Sequence, residues 1–70
     1  MDMIVEIEGS GNNIKTKITM LQTQLNIMFA KYCTKQLGAS YKIIDGTSFL
    51  INGEHNDNRI MSLYKEFKLI

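Results

Sequence analysis

The chain has 70 residues, enough for one domain (residues 1–70) with a small hydrophobic core, and it contains a single cysteine, Cys33. One cysteine and one histidine exclude an intramolecular disulfide and the usual ligand sets for zinc. The formal net charge is +1, no apolar run reaches the roughly 18 residues that span a bilayer, and the acidic start is unlike a secretion signal. We therefore expect a cytoplasmic protein that does not cross a membrane.

Two alternating segments flank Gly9-Ser10-Gly11-Asn12-Asn13 and predict a first β-hairpin. A four-residue loop sets three cross-strand pairs, Glu8 with Lys15, Glu6 with Lys17 and Val5 with Ile18. Both acids then meet lysines on the outer face, while Val5, Ile7 and Ile18 share the inner face. Pairs of opposite charge contribute roughly 0.2–1 kcal/mol each, so the charges and the apolar pattern favour the same register.

A helix is predicted next, since Thr19 and Gln22 have the spacing of a capping box. Its apolar stripe consists of Leu21, Leu25, Met28, Phe29 and Tyr32. Gly38 stands where a left-handed residue ends a helix. A helical wheel places Thr23, Ile27, Ala30 and Thr34 on the opposite face, with Lys31 and Lys35 along one border.

Asp45-Gly46 lies between two apolar segments and predicts a second hairpin with a type I′ turn, pairing Ile44 with Thr47. Both faces of this hairpin are apolar, so we expect it to be central in the sheet or covered on its second side. The polar run at 54–58 then supplies caps for a last helix. The inner face of that helix is predicted to consist of Ile60, Leu63, Tyr64 and Phe67.

These elements predict an α+β fold, ββαββα, with a four-stranded antiparallel sheet in the order 2-1-3-4. The central amphipathic helix covers one face, and the C-terminal helix either covers the same face or reaches a second subunit. The predicted core contains Val5, Ile7, Ile18, Leu21, Leu25, Met28, Phe29, Tyr32, Ile43, Leu50, Ile60, Tyr64 and Phe67.

The chemistry-bearing residues do not predict catalysis, a metal or a cofactor. His55 lies between Glu54 and Asn56 at the start of the last helix, where polar residues serve as caps. One imidazole is too few ligands for a metal site. Cys33 lies near the apolar stripe, where we expect a small, partly buried hydrophobic side chain. We expect a protein that is not an enzyme.

The middle of the chain is basic and raises nucleic acid as an alternative partner. Lys31, Lys35 and Lys42 stay unpaired after the first hairpin is assigned. Single-strand binders combine such lysines with aromatic platforms. The chain has one arginine, Arg59, and no aromatic motif of the kind found in RNA-binding sheets, so we rank a nucleic-acid-binding regulator second.

A protein partner is the leading interpretation, because Ile27 is an apolar residue on the face opposite the stripe. The predicted partner-binding surface consists of Thr23, Ile27, Lys31, Thr34 and Lys35. An apolar anchor with a basic rim suits an acidic protein surface. A second copy of the chain is a further candidate partner.

Two segments carry a resemblance to known families. Lys17-Ile18-Thr19-Met20-Leu21, which leads from a strand into a helix, is similar in pattern to a phage antitoxin family that blocks a host RNase toxin. The segment from Tyr41 through Asp45-Gly46 to Ile51, after a helix and Gly38, resembles the layout of some anti-CRISPR proteins. The resemblance implies a phage-encoded inhibitor that binds a host nuclease, toxin or CRISPR effector.

Overall fold

The computed structural model of the chain describes residues 3–20 and 23–69, and the side chains of 3–20 and 25–69. Its elements are β1 (Met3–Glu8), β2 (Lys15–Met20), α1 (Thr23–Leu37), β3 (Tyr41–Ile43), β4 (Ser48–Asn52) and α2 (Asp57–Lys68). The predicted α+β class, with four antiparallel strands and two helices, is confirmed.

The strand order is β1-β2-β4-β3, so the predicted order 2-1-3-4 is wrong. In both orders one strand lies between the parallel strands β2 and β3, but that strand is β4 rather than β1. The physical reason is burial, because Phe49 and Ile51 of β4 are fully buried whereas Ile4, Glu6 and Glu8 of β1 are exposed. The more apolar strand therefore occupies the centre of the sheet, and the acidic strand lies at an edge.

The predicted register of the first hairpin is confirmed, and it extends to Met3 opposite Met20. The charges pair diagonally rather than directly, because Lys17 Nζ lies 3.9 Å from Glu8 Oε2. Lys15 instead donates a hydrogen bond of 2.7 Å to Asn52 Oδ1 of β4. The predicted burial of Ile7 is wrong, since this edge-strand residue is 43% exposed.

The predicted type I′ turn of the second hairpin is wrong, because the two strands pair one residue away from the predicted register. Ile43 lies opposite Phe49, and the Ile44 N–H donates to Ser48 O. Asp45 Oδ1 accepts hydrogen bonds from the backbone nitrogens of Thr47 (2.8 Å) and Ser48 (2.9 Å). This side-chain cap closes a longer turn. Gly46 also lacks the positive φ that a type I′ turn requires.

The shift of one residue moves β4 side chains to the opposite face from the one predicted. Leu50, a predicted core residue, lies on the outer face beside Lys42 and is half-buried. Phe49 and Ile51 enter the core in its place. Ile43 lies on the core face but remains 37% exposed because β3 is an edge strand.

Helix α1 is described from Thr23 onward, and Met20, which the predicted capping box places in the first turn of the helix, belongs to β2. Thr19 belongs to β2, where its hydroxyl oxygen lies 3.1 Å from Ser48 Oγ, so its predicted capping role is wrong. Gln22 and Leu21 lie outside the described residues. The predicted end is confirmed: Gly38 has φ +66° and its N–H donates to Thr34 O.

The buried face of α1 is rotated from the predicted stripe by about 100°, the angle of one residue. Phe29 is buried as predicted, but its buried neighbours are Asn26, Ala30 and Cys33. Met28, a predicted core residue, is 58% exposed. The small side chains of Ala30 and Cys33 let α1 lie close to the sheet, so they form the contact that the bulkier Met28 was expected to make.

Helix α2 matches its prediction. Asn56 is the N-cap residue, and its Oδ1 accepts a hydrogen bond of 2.8 Å from the Arg59 nitrogen. Ile60 and Leu63 are fully buried, and Tyr64 and Phe67 pack against the core. Of the two positions left open for this helix, it takes the one on the same face of the sheet as α1.

An aromatic cluster joins the two helices to the sheet. The Phe29 ring meets those of Phe49, Tyr64 and Phe67 at centroid distances of 6.1, 5.3 and 5.3 Å. The predicted core residues found buried or packed against the core are Val5, Ile18, Leu25, Phe29, Tyr32, Ile60, Tyr64 and Phe67. The other buried hydrophobic residues of the core are Met3, Met20, Ala30, Cys33, Phe49, Ile51 and Leu63. Within the described ranges, no helix has the length and apolar character to cross a membrane.

Candidate functional site

A groove follows the seam between α1 and α2 on the side away from the sheet. One half of about 340 Å³ is lined by Met28, Lys31, Tyr32, Lys35 and Phe67. The other half, of about 310 Å³, shares Met28 and Phe67 and adds Leu25 and Lys68. We call these seven residues the α1–α2 groove. Each half reaches the size range of small binding clefts.

The floor of the groove is apolar because of the phase of α1. With Phe29 and Cys33 turned into the core, Met28 emerges on the exposed side of α1, where it lines the groove together with the partly exposed Phe67. The Phe67 ring also contacts Tyr32, with centroids 5.7 Å apart. Methionine is flexible and polarizable and adapts to different apolar side chains. The floor can therefore accept an apolar anchor from another molecule.

The rim of the groove is mainly basic. Lys31 and Lys35 line its α1 side and Lys68 its α2 side, where the Lys68 ammonium lies 5.3 Å from the centre of the Tyr64 ring. Tyr32 donates a hydrogen bond of 3.2 Å from its hydroxyl to Glu66 Oε2. Partial desolvation and this carboxylate raise the pKa of Tyr32 above its ordinary value.

The predicted partner-binding residues divide into three groups. Ile27, Lys31 and Lys35 share the exposed side of α1, and Ile27 is 49% exposed. Thr34 does not join them, because its hydroxyl oxygen is buried and has no hydrogen-bond partner among the described residues. The predicted position of Thr34 on the exposed face is therefore wrong, because the observed buried face of α1 is rotated and turns Thr34 toward the core. The side chain of Thr23 lies outside the described residues.

Sequence reasoning missed the groove itself. It assigned Met28, Tyr32 and Phe67 to the core and therefore kept them out of the partner-binding surface. The sequence feature that could have indicated the groove is the pair Ala30 and Cys33. Their small apolar side chains lie on the same side of the helix as Phe29 and are compatible with a closely packed helix face. If both are assigned to the core, the predicted buried face of α1 shifts by about one residue, and Met28 is placed on the exposed face beside Lys31.

The three lysines of the nucleic-acid alternative do not share a surface. Lys31 and Lys35 lie on the exposed side of α1, which covers the inner face of the sheet. Lys42 pairs with Leu50 on the outer face. Because the sheet separates Lys42 from the other two, they do not form one basic groove for a nucleic-acid strand.

His55 is engaged in the fold at the start of α2. Its backbone N–H donates to Thr16 Oγ1 at 2.9 Å, and its Nε2 lies 3.0 Å from Asn52 O. Since a carbonyl oxygen only accepts, that contact requires a proton on Nε2. The Thr16 hydroxyl in turn donates to Gly53 O at 2.8 Å. The imidazole therefore fixes the loop between β4 and α2.

Cys33 is fully buried on α1, and burial raises the pKa of its thiol to about 12. The thiolate, which is the reactive form, is therefore scarce near neutral pH. Across the part of the chain that the structure describes, no three His, Cys, Asp or Glu side chains come close enough to hold a metal ion.

Comparison with known proteins leaves the site to be judged on its geometry, because no protein-family model matches the chain and no curated protein is significantly similar in sequence.

Proposed function

We propose that this chain is a phage-encoded protein that blocks a host defence nuclease, toxin or CRISPR effector by stoichiometric binding, acting in the host cytoplasm. The observation that carries the proposal is the α1–α2 groove, whose apolar floor lies open on an otherwise compact domain. Met28, at its centre, is 58% exposed. Exposed apolar surface with a polar rim is typical of protein-binding sites.

The residues that line the groove indicate which kind of partner surface it would bind. Lys31, Lys35 and Lys68 favour an acidic surface, and the floor of Met28 and Phe67 favours an apolar side chain that projects from it. An anchor buried in such a floor slows dissociation, whereas charges on the rim speed association. A defence enzyme blocked in this way loses activity because the bound protein covers its surface.

Three variants, two in the groove and one outside it, separate the groove from the rest of the surface. Met28→Glu places a charge on the apolar floor, and glutamate is a good helix former, so the fold is retained. Lys35→Glu reverses a charge on the rim of the groove. Lys42→Glu makes the same reversal on the outer face of the sheet and is the matched control.

The proposal is tested by plating phage on strains that each carry one defence system, a nuclease, a toxin or a CRISPR effector. Expression of the wild-type protein restores plating on one of these strains, and so does the Lys42→Glu variant. Met28→Glu fails to restore it, and Lys35→Glu restores it less than the wild type does, because a reversed charge on the rim slows association. If the wild-type protein restores plating on none of them, the proposed inhibition of host defence is wrong.

A further inference from the structure

The two edges of the sheet are protected to different extents. Strand β3 has three residues, and the central one is Lys42, so it offers little to pair with. Strand β1 has six residues, and no described residue pairs with its outer edge. It contains no proline, and its pairing with β2 runs from Met3 to Glu8 without a bulge. A long regular edge is a template for another strand.

The direction of the backbone groups along β1 follows from the ladder. The Met20 N–H donates to Thr47 O on the β4 side of β2. Since backbone groups in a strand alternate in direction, Thr19, Lys17 and Lys15 direct theirs to β1. Their partners Ile4, Glu6 and Glu8 are thereby satisfied. The other three residues, Met3, Val5 and Ile7, direct their N–H and C=O groups away from the sheet.

The same three residues form the inner-face row of β1, and the row is apolar. Met3 is buried, Val5 is half-buried and Ile7 is 43% exposed. Cover by the helices thus decreases along the strand. The outer edge therefore combines backbone groups that no described residue pairs with and apolar side chains that the domain does not fully cover.

We propose that the outer edge of β1 pairs antiparallel with β1 of a second copy of this chain, joining the two sheets into one. A two-fold axis perpendicular to the sheet keeps the inner faces of both copies on one side. It sets Val5 opposite the partner's Val5 and Met3 opposite the partner's Ile7. All three outward-directed residues are then paired, with about six backbone hydrogen bonds, two for each of three pairs.

Two neighbouring registers are less favourable. A shift by one residue sets inner-face side chains opposite outer-face ones, which such a two-fold axis does not allow. A shift by two residues toward the C-terminus sets Glu6 directly opposite the partner's Glu6, and like charges in that position are destabilising. The register centred on Val5 instead sets Glu6 opposite the partner's Ile4.

The first test is sedimentation equilibrium of the wild-type protein and two variants of Val5. Val5→Pro removes an N–H that faces away from β2, a position where an edge strand tolerates proline. We expect it to raise the dimer dissociation constant at least about tenfold. Val5→Thr keeps the N–H and a similar shape and is the control, with a dissociation constant near that of the wild type. A wild-type chain that stays monomeric up to about 1 mM overturns the proposal.

The second test fixes the register and does not depend on how proline affects folding. With oxidised glutathione as oxidant, Val5→Cys forms a disulfide-linked dimer because the two Val5 positions lie opposite each other. Glu6→Cys does not, since its two copies are offset along the strands. The wild-type chain controls for Cys33, which is buried. Linkage through Glu6→Cys but not Val5→Cys, or through neither, overturns the proposed interface.

Discussion

Thr16 and His55, 39 residues apart in the chain, are joined by a hydrogen bond of 2.9 Å from the His55 backbone nitrogen to Thr16 Oγ1. The same hydroxyl donates to Gly53 O at 2.8 Å. Thr16 is fully buried in β2, so its one hydroxyl satisfies two backbone groups of the loop that leads into α2. This contact sets where α2 begins and, through the helix, where Phe67 meets α1.

We expect Thr16→Val to lower the free energy of unfolding by about 1–3 kcal/mol, because it leaves the partly buried His55 N–H and Gly53 C=O without these partners. Urea denaturation measures the change. Thr16→Ser keeps the hydroxyl and is the matched control. A loss of stability in Thr16→Ser with none in Thr16→Val would show that the methyl group, and not the hydrogen bonds, is what matters.

Asn26 presents the opposite case on α1. Its amide is fully buried, and neither its oxygen nor its nitrogen has a hydrogen-bond partner among the described residues. Leucine has the same branching without the polar atoms, so we expect Asn26→Leu to raise the free energy of unfolding by about 1–2 kcal/mol. Urea denaturation again measures it. A loss of stability would mean that the amide is satisfied in solution.

Phe29 is the centre of the aromatic cluster, with three ring neighbours and no exposed surface. Phe29→Ala should destabilise the protein by roughly 3–5 kcal/mol, a large part of the stability of so small a domain. Met28→Ala removes a side chain of similar length from the adjacent exposed position and is the control. A cooperative unfolding transition at nearly wild-type denaturant concentration in Phe29→Ala would contradict the described helix phase.

Asp45 gives the second hairpin a dependence on pH. The Thr47 N–H first, and then its hydroxyl and the Ser48 N–H, donate to the carboxylate and lower the pKa of Asp45. A lowered pKa in the folded state contributes stability that is present above the unfolded-state value of about 3.9 and is lost as the pH falls through the folded-state value.

The Asp45→Asn variant keeps the accepting oxygen but cannot titrate. The wild-type protein should therefore lose more free energy of unfolding than the variant between about pH 5 and pH 2. Thermal unfolding followed by circular dichroism at several pH values measures both. Parallel pH profiles would show that the carboxylate is not stabilised in the folded hairpin.

The sequence predicted the fold where two independent signals agreed. In the first hairpin, the pairing of Glu6 and Glu8 with lysines and the alternation of apolar residues define one register, and that register is observed. The start of α2 and its buried face could be predicted for the same reason. The polar cap at Asn56 and the spacing of Ile60 and Leu63 both indicate a helix that begins at this point.

The remaining features depend on contacts that a linear pattern does not contain. Asp45-Gly46 is a strong type I′ signal, but the side chain of Asp45 caps a longer turn instead, and the shift changes the face of Leu50. In α1, Ala30 and Cys33 took the core positions, so Met28 became the floor of the groove. The groove could not be predicted because it depends on that rotation and on α2 lying beside α1.

Comparative capture from host lysate tests the groove most directly, with the wild-type protein, Met28→Glu and Lys42→Glu as immobilised baits and quantitative mass spectrometry as the readout. We expect the wild type and Lys42→Glu to retain the same acidic host protein in near-stoichiometric amount. Met28→Glu should retain at least about tenfold less of it, as for loss of an interface anchor. Equal recovery with all three baits would contradict the assignment of the α1–α2 groove as the binding surface.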